Sequence, residues 1–299
     1  MTEQDNQLAQ LELKPKTGLR QAFEQFRRWP VIPVAILFIL AFAAISAPFL
    51  APYHPVRGDL RARETPPFWQ EGGSTDHILG TDHQGRDILT RMMHGARVSL
   101  TFAAMTMAIG VALGALLGAV SGYFGGHLDE MIMRLVDLTN ALPFLLAALV
   151  FVSVFGASFR TLLIILSLFA WGGYARQVRG EVLQLKEMDY VALAKVAGAS
   201  PIRIIWKHLL PGVTNTLIVV ATLGTGQIIL AESTLSFLGV GIPPPNPAWG
   251  SMVADGRNYI DTSWWIAIIP GVGIGLTVLA LNFLGDWLRD YFDPRLRQI

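Results

Sequence analysis

The chain has 299 residues, of which 52% are apolar and only 15% are charged, whereas soluble domains carry about 25% charged residues. This composition favours a membrane protein, and the net charge of +1 provides no basic field for binding nucleic acid. The absence of cysteine excludes disulfides, thiolate metal sites and a cysteine nucleophile.

Six apolar stretches are candidates for membrane spans, each compared with the ~20 residues that a helix needs to cross a bilayer. They are residues 31–50, 98–120, 138–155, 161–175, 213–231 and 264–284. The fourth has only about 15 residues, and Arg160 separates it from the third. Because an arginine inside one continuous membrane helix is costly, we predict two helices joined by a tight turn. The predicted fold class is an all-α membrane protein with six transmembrane helices.

The first stretch is predicted to be a retained anchor helix, because its apolar core is longer than the ~7–15 residues of a cleavable signal. The amphipathic residues 19–29 before it are predicted to lie on the membrane surface. With the amino terminus inside, 15 of the 23 lysines and arginines fall in cytoplasmic segments. We therefore predict a multi-pass membrane protein with both termini in the cytoplasm.

These boundaries divide the chain into four parts. They are a cytoplasmic tail (1–30), the first span with an external loop (31–97), a five-helix core (98–287) that includes a cytoplasmic loop at 189–212, and a second cytoplasmic tail (288–299). Within the external loop, residues 87–97 are predicted to be helical and to continue into the second span. Three successive prolines at 243–245 exclude a helix there, so residues 231–257 are predicted to fold back along the mouth of the bundle.

The second span carries a glycine at every fourth position. Glycines at this spacing lie on one helix face and allow another backbone to approach closely. Two interpretations remain open: tight packing inside the bundle, and a subunit interface or pore lining. The glycines are Gly110, Gly114, Gly118 and Gly122.

The sequence contains no source of energy for transport. No lysine follows a glycine, so the phosphate-binding loop G-x-x-x-x-G-K-[S/T] is absent. A secondary carrier would be expected to have ionisable residues in mid-span, and the six stretches contain none. Glu232, at the end of the fifth, is either a residue of the transport pathway or a boundary residue hydrogen-bonded to the following loop.

Enzyme and metal chemistry have little support in the sequence. No G-x-S-x-G elbow is present, and no paired catalytic groups lie inside the spans, which disfavours an intramembrane enzyme. No cofactor is expected. Histidines and aspartates of the external loop resemble a metal cluster only weakly, since turns rich in Asp and Gly produce the same spacing. They are Asp76, His77, Asp82, His83 and Asp87.

Residues 189–212 form an amphipathic interruption between two apolar stretches. The spacing of Tyr190, Leu193, Ala194 and Ala197 predicts one face of a first short helix, which Gly198 ends. Ser200 and Pro201 predict the start of a second helix. Its apolar face is predicted to hold Ile202, Ile205, Trp206 and Leu209, its basic edge Arg203 and Lys207, and its end Pro211. Two interpretations are a helix that lies on lipid and a docking element for a cytoplasmic protein that supplies the energy. A helix on lipid would not need the glycine turn, so the docking element is favoured.

This segment resembles the coupling loop of binding-protein-dependent ABC importer permeases, whose signature is E-A-A, then a glycine, then L-P. Ala192 and Leu193 stand where the family has its glutamate and first alanine, which leaves open whether packing replaces a glutamate contact. By this resemblance we assign coupling to Ala192, Leu193, Ala194, Lys195, Gly198, Ser200, Pro201, Arg203, Leu210 and Pro211.

Other stretches are similar to the dipeptide, oligopeptide and nickel branch of that family. The similarity covers roughly residues 20–298, and "PPFWQEGGS" leans towards the dipeptide permeases. The other segments that carry it are "LGTDHQGRDILTRMMHGARVSL", "STLSFLGVGIPPPNPAWGSMVADGR" and "NFLGDWLRDYFDPRLRQ".

The resemblance implies the ABC type I importer permease fold, a location in a bacterial or archaeal cell membrane, and a set of partners. These are a second, related permease subunit in a heterodimer, two ATP-binding subunits at the cytoplasmic face, an extracytoplasmic solute-binding protein and the lipid bilayer. It also implies alternating access driven by ATP hydrolysis in the partners, with di- or oligopeptides as the solute. Nickel, glutathione or a short sugar in the same kind of importer, and a stand-alone secondary carrier, remain alternatives.

Overall fold

The computed structural model describes residues 30–292, and within that range the chain forms helices and loops without a β-strand. Five helical stretches are long and apolar enough to cross a membrane, and a sixth span results if two helices bent by 87° are taken as one. The helices are α1 (Val31–Leu50), α2 (Ile88–Phe124), α3 (Gly126–Ala141), α4 (Phe144–Phe155), α5 (Phe159–Leu185), α6 (Asp189–Val196), α7 (Pro201–Ile204), α8 (Leu210–Phe237), α9 (Trp249–Gly256) and α10 (Trp265–Phe292).

The all-helical prediction is confirmed, and several boundaries agree closely. The bounds of α1 are the predicted ones. Helix α2 begins within the external loop, as predicted, because the Asp87 side chain caps it by accepting from the Thr90 N–H at 2.7 Å. Helices α4 and α5 are separated at Gly156, and Ser158 caps α5 by accepting from the Thr161 N–H at 3.0 Å. The amphipathic residues 19–29 and the last seven residues lie outside the described range.

The third span is not the single helix predicted for residues 138–155. The chain forms α3 and α4, which meet at an angle of 87°. Leu142 is extended (φ −80°, ψ 129°), because a residue before a proline avoids helical geometry, and Pro143 then serves as the N-cap of α4. The apolar run is thus continuous in sequence and broken in space.

The fourth span is longer than predicted. Helix α5 continues ten residues past Ala175 to Leu185, although the apolar run stops at Arg176. Charges of α3 neutralise the two arginines in this extension: Arg176 pairs with Asp137, and Arg179 donates from Nε and Nη2 to the two carboxylate oxygens of Asp129 at 2.5 and 2.6 Å. A bidentate pair of this kind holds its geometry firmly. Hydropathy alone therefore misplaces the end of the helix.

Helices α2 and α5 pack with their backbones close together along the glycine face of α2. A Cβ at Gly114 would lie 2.6 Å from the Trp171 carbonyl oxygen, and a Cβ at Gly118 would lie 2.4 Å from that of Ala175. Gly122 faces Val182 in the same way. These contacts place the glycines against another helix of the same chain.

The external loop is tied to α2 and α9 by a buried charge network. Asp82, which is 2% exposed, accepts from Arg86 Nε at 2.6 Å and from Arg91 Nη1 at 3.1 Å. Asp255 of α9 accepts from the same two arginines at 3.4 and 3.3 Å. Helix α9 is held further by Trp249, whose indole N–H donates to the Met92 carbonyl at 3.1 Å. The chain after α8 thus folds back on the bundle, as predicted.

Removing one charge of this network is expected to loosen the external loop. Asp82→Asn leaves Arg91, which is 5% exposed, with the more exposed carboxylate of Asp255 as its remaining acidic partner, and breaking a buried ion pair costs roughly 3–5 kcal/mol. We expect a lower thermal midpoint and faster proteolysis between residues 51 and 87. Asp76→Asn, on the exposed surface of the same loop, is the matched control and should change neither value. Equal proteolysis of the two variants would contradict the structural role of the network.

Candidate functional site

Helix α6 ends in a hydrogen-bonded turn that requires glycine. The Gly198 N–H donates to the Lys195 carbonyl at 3.0 Å, and the Ala199 N–H donates to the Ala194 carbonyl at 3.0 Å. These are the two bonds of a Schellman motif, and Gly198 occupies its left-handed position with φ +77°. The predicted glycine turn is therefore present.

The second helix starts as predicted and then continues into the fifth span. Pro201 occupies the first turn of α7, and the Ser200 side chain accepts from the Arg203 N–H. Residues Ile205–Leu209 form a π-helical turn, in which the Leu210 N–H donates five residues back to the Ile205 carbonyl. The prediction that Pro211 ends the second helix is wrong. Pro211 lies in the first turn of α8, directly after the wider π-turn, where a missing N–H and a bulky ring are tolerated.

The predicted apolar faces of the two short helices are also corrected. The inward side chain of α6 is Val191, which is fully buried, whereas Tyr190, Leu193 and Ala197 are exposed. In the second helix the buried side chains are Ile204, Ile205 and Leu209. They form a core cluster with Ala115 and Ala119 of α2 and with Val178, Val182 and Val213.

Four large apolar side chains of this segment point away from the bundle. Leu193 is 68% exposed, Val196 88%, Ile202 70% and Trp206 61%. Arg203 and Lys207, both exposed, border them. We call Leu193, Val196, Ile202 and Trp206 the docking surface. Two helices anchored on one side by buried aliphatic residues thus present an apolar surface with a basic edge on the other.

The remaining residues assigned to coupling have different surroundings. Ala192 is exposed next to the docking surface, whereas Ala194 and Leu210 are partly buried and pack against the aliphatic cluster. Lys195 is directed towards the end of α2, with its ammonium 5.8 Å from the centre of the Tyr123 ring, which is within the range of a cation–π contact.

Glu232 is enclosed within the protein at the end of α8. It is 1% exposed, and its Oε1 accepts from the Ser236 hydroxyl at 2.6 Å, one helical turn further on. It is not among the residues that line the groove between α5 and α8. The pathway role of Glu232 stays a prediction.

The histidines and aspartates of the external loop that weakly resemble a metal cluster make other contacts. Asp87 caps α2 and lies 3.0 Å from Nδ1 of His77, and Asp82 pairs with two arginines. The ring of His83 stacks on Tyr259, with centroids 5.1 Å apart. Between residues 30 and 292 no three histidine, aspartate or glutamate side chains are placed to hold a metal ion.

A groove of about 600 Å³ lies between α5 and α8, beside the break between α3 and α4. Its polar lining is neutral and consists of Thr139, Asn140, Tyr174, Gln177 and Gln227. The sequence analysis does not single out these residues, because Gln177 lies beyond the predicted end of the fourth span and the other four are uncharged residues inside predicted spans. The signal for Gln177 is the recurrence of Gly and Gln at helical spacing from residue 173 onwards.

Comparison with known families identifies the chain. Residues 110–298 match the family described as the binding-protein-dependent transport system inner membrane component, and this match covers more than half of the sequence. The chain belongs to this family. The permease is accordingly a multi-pass protein of the inner membrane.

Several curated relatives are similar to the permease over most of their length. The dipeptide transport system permease protein DppC of Escherichia coli K12 is 44% identical over 286 residues, which are 95% of each chain. The di/tripeptide transport system permease protein DppC of Pseudomonas aeruginosa is 40% identical over 87% of this chain and 86% of the relative. DppC of Bacillus subtilis is 40% identical over 89% of this chain and 83% of the relative.

A solved structure supports the fold. A chain of the MetNI methionine ABC transporter, in an inward-facing form, superposes with a TM-score of 0.54. The match covers 68% of the permease and 97% of that chain, at 18% sequence identity. The permease therefore has the fold of an ABC importer membrane subunit, as predicted.

Proposed function

We propose that the permease is the membrane-spanning subunit of an importer that moves di- or oligopeptides into the cytoplasm by alternating access. The main support is its similarity, over 95% of both chains, to a protein whose name assigns it to dipeptide transport. Nickel, glutathione and short sugars are the competing solutes. A peptide is favoured because the names of these three relatives all refer to dipeptides or di/tripeptides.

The energy for transport is proposed to come from separate subunits that bind the docking surface. The chain has no phosphate-binding loop, and its exposed apolar surface on residues 189–212 is the kind of surface that a partner protein covers. We assign two ATP-binding subunits to this face, a related permease subunit beside it in the membrane, and a solute-binding protein on the outside. Both termini and the docking surface then lie in the cytoplasm.

Reconstitution tests the solute and the energy source together. The permease, co-expressed with its proposed partner permease and ATP-binding subunits and placed in liposomes, is expected to accumulate a radiolabelled dipeptide only with ATP and a binding protein. Accumulation of nickel or glutathione in place of peptide would refute the assigned solute. Uptake by the purified permease alone, without ATP, would refute the assembly and establish a secondary carrier.

Shortening one side chain of the docking surface is expected to weaken the complex. Tryptophans that become buried at an interface often contribute about 2 kcal/mol or more to binding, so Trp206→Ala should reduce co-purification of the ATP-binding subunits roughly 30-fold. The matched control is Phe38→Ala, which removes an equally exposed aromatic ring from α1. Equal yields of complex from both variants would show that Trp206 lies outside the contact.

A further inference from the structure

One face of α5 carries polar and small residues that the neighbouring helices leave exposed. Gly173, Gln177, Gly180 and Gln184 follow each other at intervals of four, three and four residues, so they form a single line along the helix. No atom lies within 4 Å of a Cβ placed at Gly173 or Gly180. Amide side chains that face lipid are costly, so this line, which we call the polar stripe, is not a lipid-facing surface.

The polar stripe runs through two neighbouring cavities that share Gln177. The groove of about 600 Å³ contains Gly173 and Gln177, and Gln227 of α8 lines its other side. A second cavity of about 360 Å³ contains Gln177, Gly180 and Gln184, with Thr216 of α8 facing them. Gly173 and Gln184 are separated by about 16 Å along the helix, which is about half of the thickness of the hydrocarbon core.

The polar groups that line the two cavities can form hydrogen bonds with water or with a solute. The lining of the groove consists of apolar side chains and neutral hydrogen-bonding groups. In the second cavity Arg176 pairs with Asp137, and Glu181 Oε1 accepts from the Thr216 hydroxyl at 3.0 Å. The Glu181 Oε2 atom is buried without a hydrogen-bond partner in the described part of the chain, so this oxygen can still accept a hydrogen bond.

We propose that the polar stripe and Gln227 form this subunit's wall of the transport pathway, and that the wall binds neutral amide groups of the solute. The inference rests on the proposed function and specifies it further. Side-chain amides both donate and accept hydrogen bonds, so they match the backbone of a short peptide. Because the groove lining carries no fixed charge, solutes with acidic, basic or apolar side chains can pass it. Selection by charge is therefore not made in the groove, whereas the second cavity is also lined by Arg176 and Glu181.

The absence of native cysteine makes the wall directly testable. Single cysteines at Gln177, Gly180 and Gln184 are expected to react with a water-soluble methanethiosulfonate reagent in the complete, reconstituted transporter. Controls are cysteines at Ile164 and Leu168, which are exposed and point to the opposite side of α5. A thiol reacts as its thiolate, which an apolar environment disfavours, so the stripe positions should react at least ~10-fold faster than the controls.

Two measurements decide the inference. Modification of Q177C or G180C should reduce uptake at least ~10-fold while ATP hydrolysis continues, because a tethered group of that size fills the passage. Reaction no faster than at Ile164 and Leu168 would overturn the proposal and indicate a dry contact with the second permease subunit. Rapid reaction without loss of uptake would overturn it as well, because the face would be wet but outside the pathway.

The labelling result does not depend on the identity of the solute. If the stripe reacts but the transporter carries no peptide, the pathway is located and only the proposed solute is wrong. If peptide uptake is normal but the stripe does not react, the proposed function stands and the wall lies elsewhere.

A panel of dipeptides with acidic, basic and apolar side chains then tests the neutral lining of the groove. Gln177→Glu should slow the uptake of acidic dipeptides more than that of basic ones. An equal effect on both would contradict a contact between Gln177 and the solute.

Discussion

Gly198→Val is expected to reduce solute uptake at least tenfold while leaving the protein inserted in the membrane and some ATP hydrolysis intact. The cause is backbone geometry. Gly198 has φ +77°, and a non-glycine residue in that region costs about 1–2 kcal/mol, more when it is β-branched. This cost is enough for a roughly tenfold change in an equilibrium. The turn is expected to relax and displace α6 from α7, so the docking surface no longer presents its two halves together.

The sensitivity of this position comes from its backbone conformation and not from a lack of space, since no atom lies within 4 Å of a Cβ placed at Gly198. The effect should therefore follow backbone preference and not side-chain volume. Gly198→Asn, which tolerates left-handed geometry, should be milder than Gly198→Ala, although asparagine is the larger residue.

The matched control places the same side chain one residue earlier. Ala197 is exposed and has φ −72°, so Ala197→Val adds a β-branched residue without strain at the left-handed position. Comparing uptake with ATPase rates in proteoliposomes separates a coupling defect from loss of the complex. Normal uptake by Gly198→Val, or an equal loss in Ala197→Val, would contradict the role of the turn.

Gly118→Leu is expected to be the most destabilising single change in the membrane core. A Cβ at this position would lie 2.4 Å from the Ala175 carbonyl oxygen and 3.0 Å from the Cβ of Val178. Because the nearest atom belongs to the backbone, no rotamer change relieves the contact and α2 must move away from α5. Overpacking costs roughly 1–3 kcal/mol, and the loss is expected at the upper end of that range.

Thermal unfolding of the detergent-solubilised permease measures this effect. Gly275→Leu is the matched control, because it adds the same side chain to a membrane helix at a glycine with no atom within 4 Å of its Cβ. The Gly118 variant should unfold at a clearly lower temperature than the control. Equal midpoints would contradict the close approach of α2 and α5 at Gly118.

The elements that sequence reasoning predicted correctly are those with a strong local cause. A run of 20 apolar residues defined α1, and an Asp87 cap extended α2 into the external loop. Likewise, the Gly198 turn followed from glycine and the Ser200–Pro201 start. Each of these signals operates within a few residues of chain and does not depend on what packs against it.

The errors arose where distant residues decide the structure. Helix α5 extends past Arg176 because Asp137 and Asp129, about 40 and 50 positions earlier, neutralise Arg176 and Arg179. The inner faces of α6 and α7 depend on where α2 and α5 lie, which periodicity does not reveal. The neutral groove likewise joins residues of α3, α4, α5 and α8 that no single stretch of sequence brings together.

The chain connections around Gly198 link the docking surface to the two helices that enclose the groove. Helix α5 leads through three residues into α6, and α7 continues without a break through the π-turn into α8. The two helices that enclose the groove, α5 and α8, are thus connected to each other through the turn at Gly198. Trp206 and Gln227 are about 30 Å apart along the continuous helix of α7, the π-turn and α8. Tilting this helix by a few degrees about Trp206 therefore displaces Gln227 by on the order of 2–3 Å. A bound subunit that displaces the turn would then widen or narrow the groove between α5 and α8 directly.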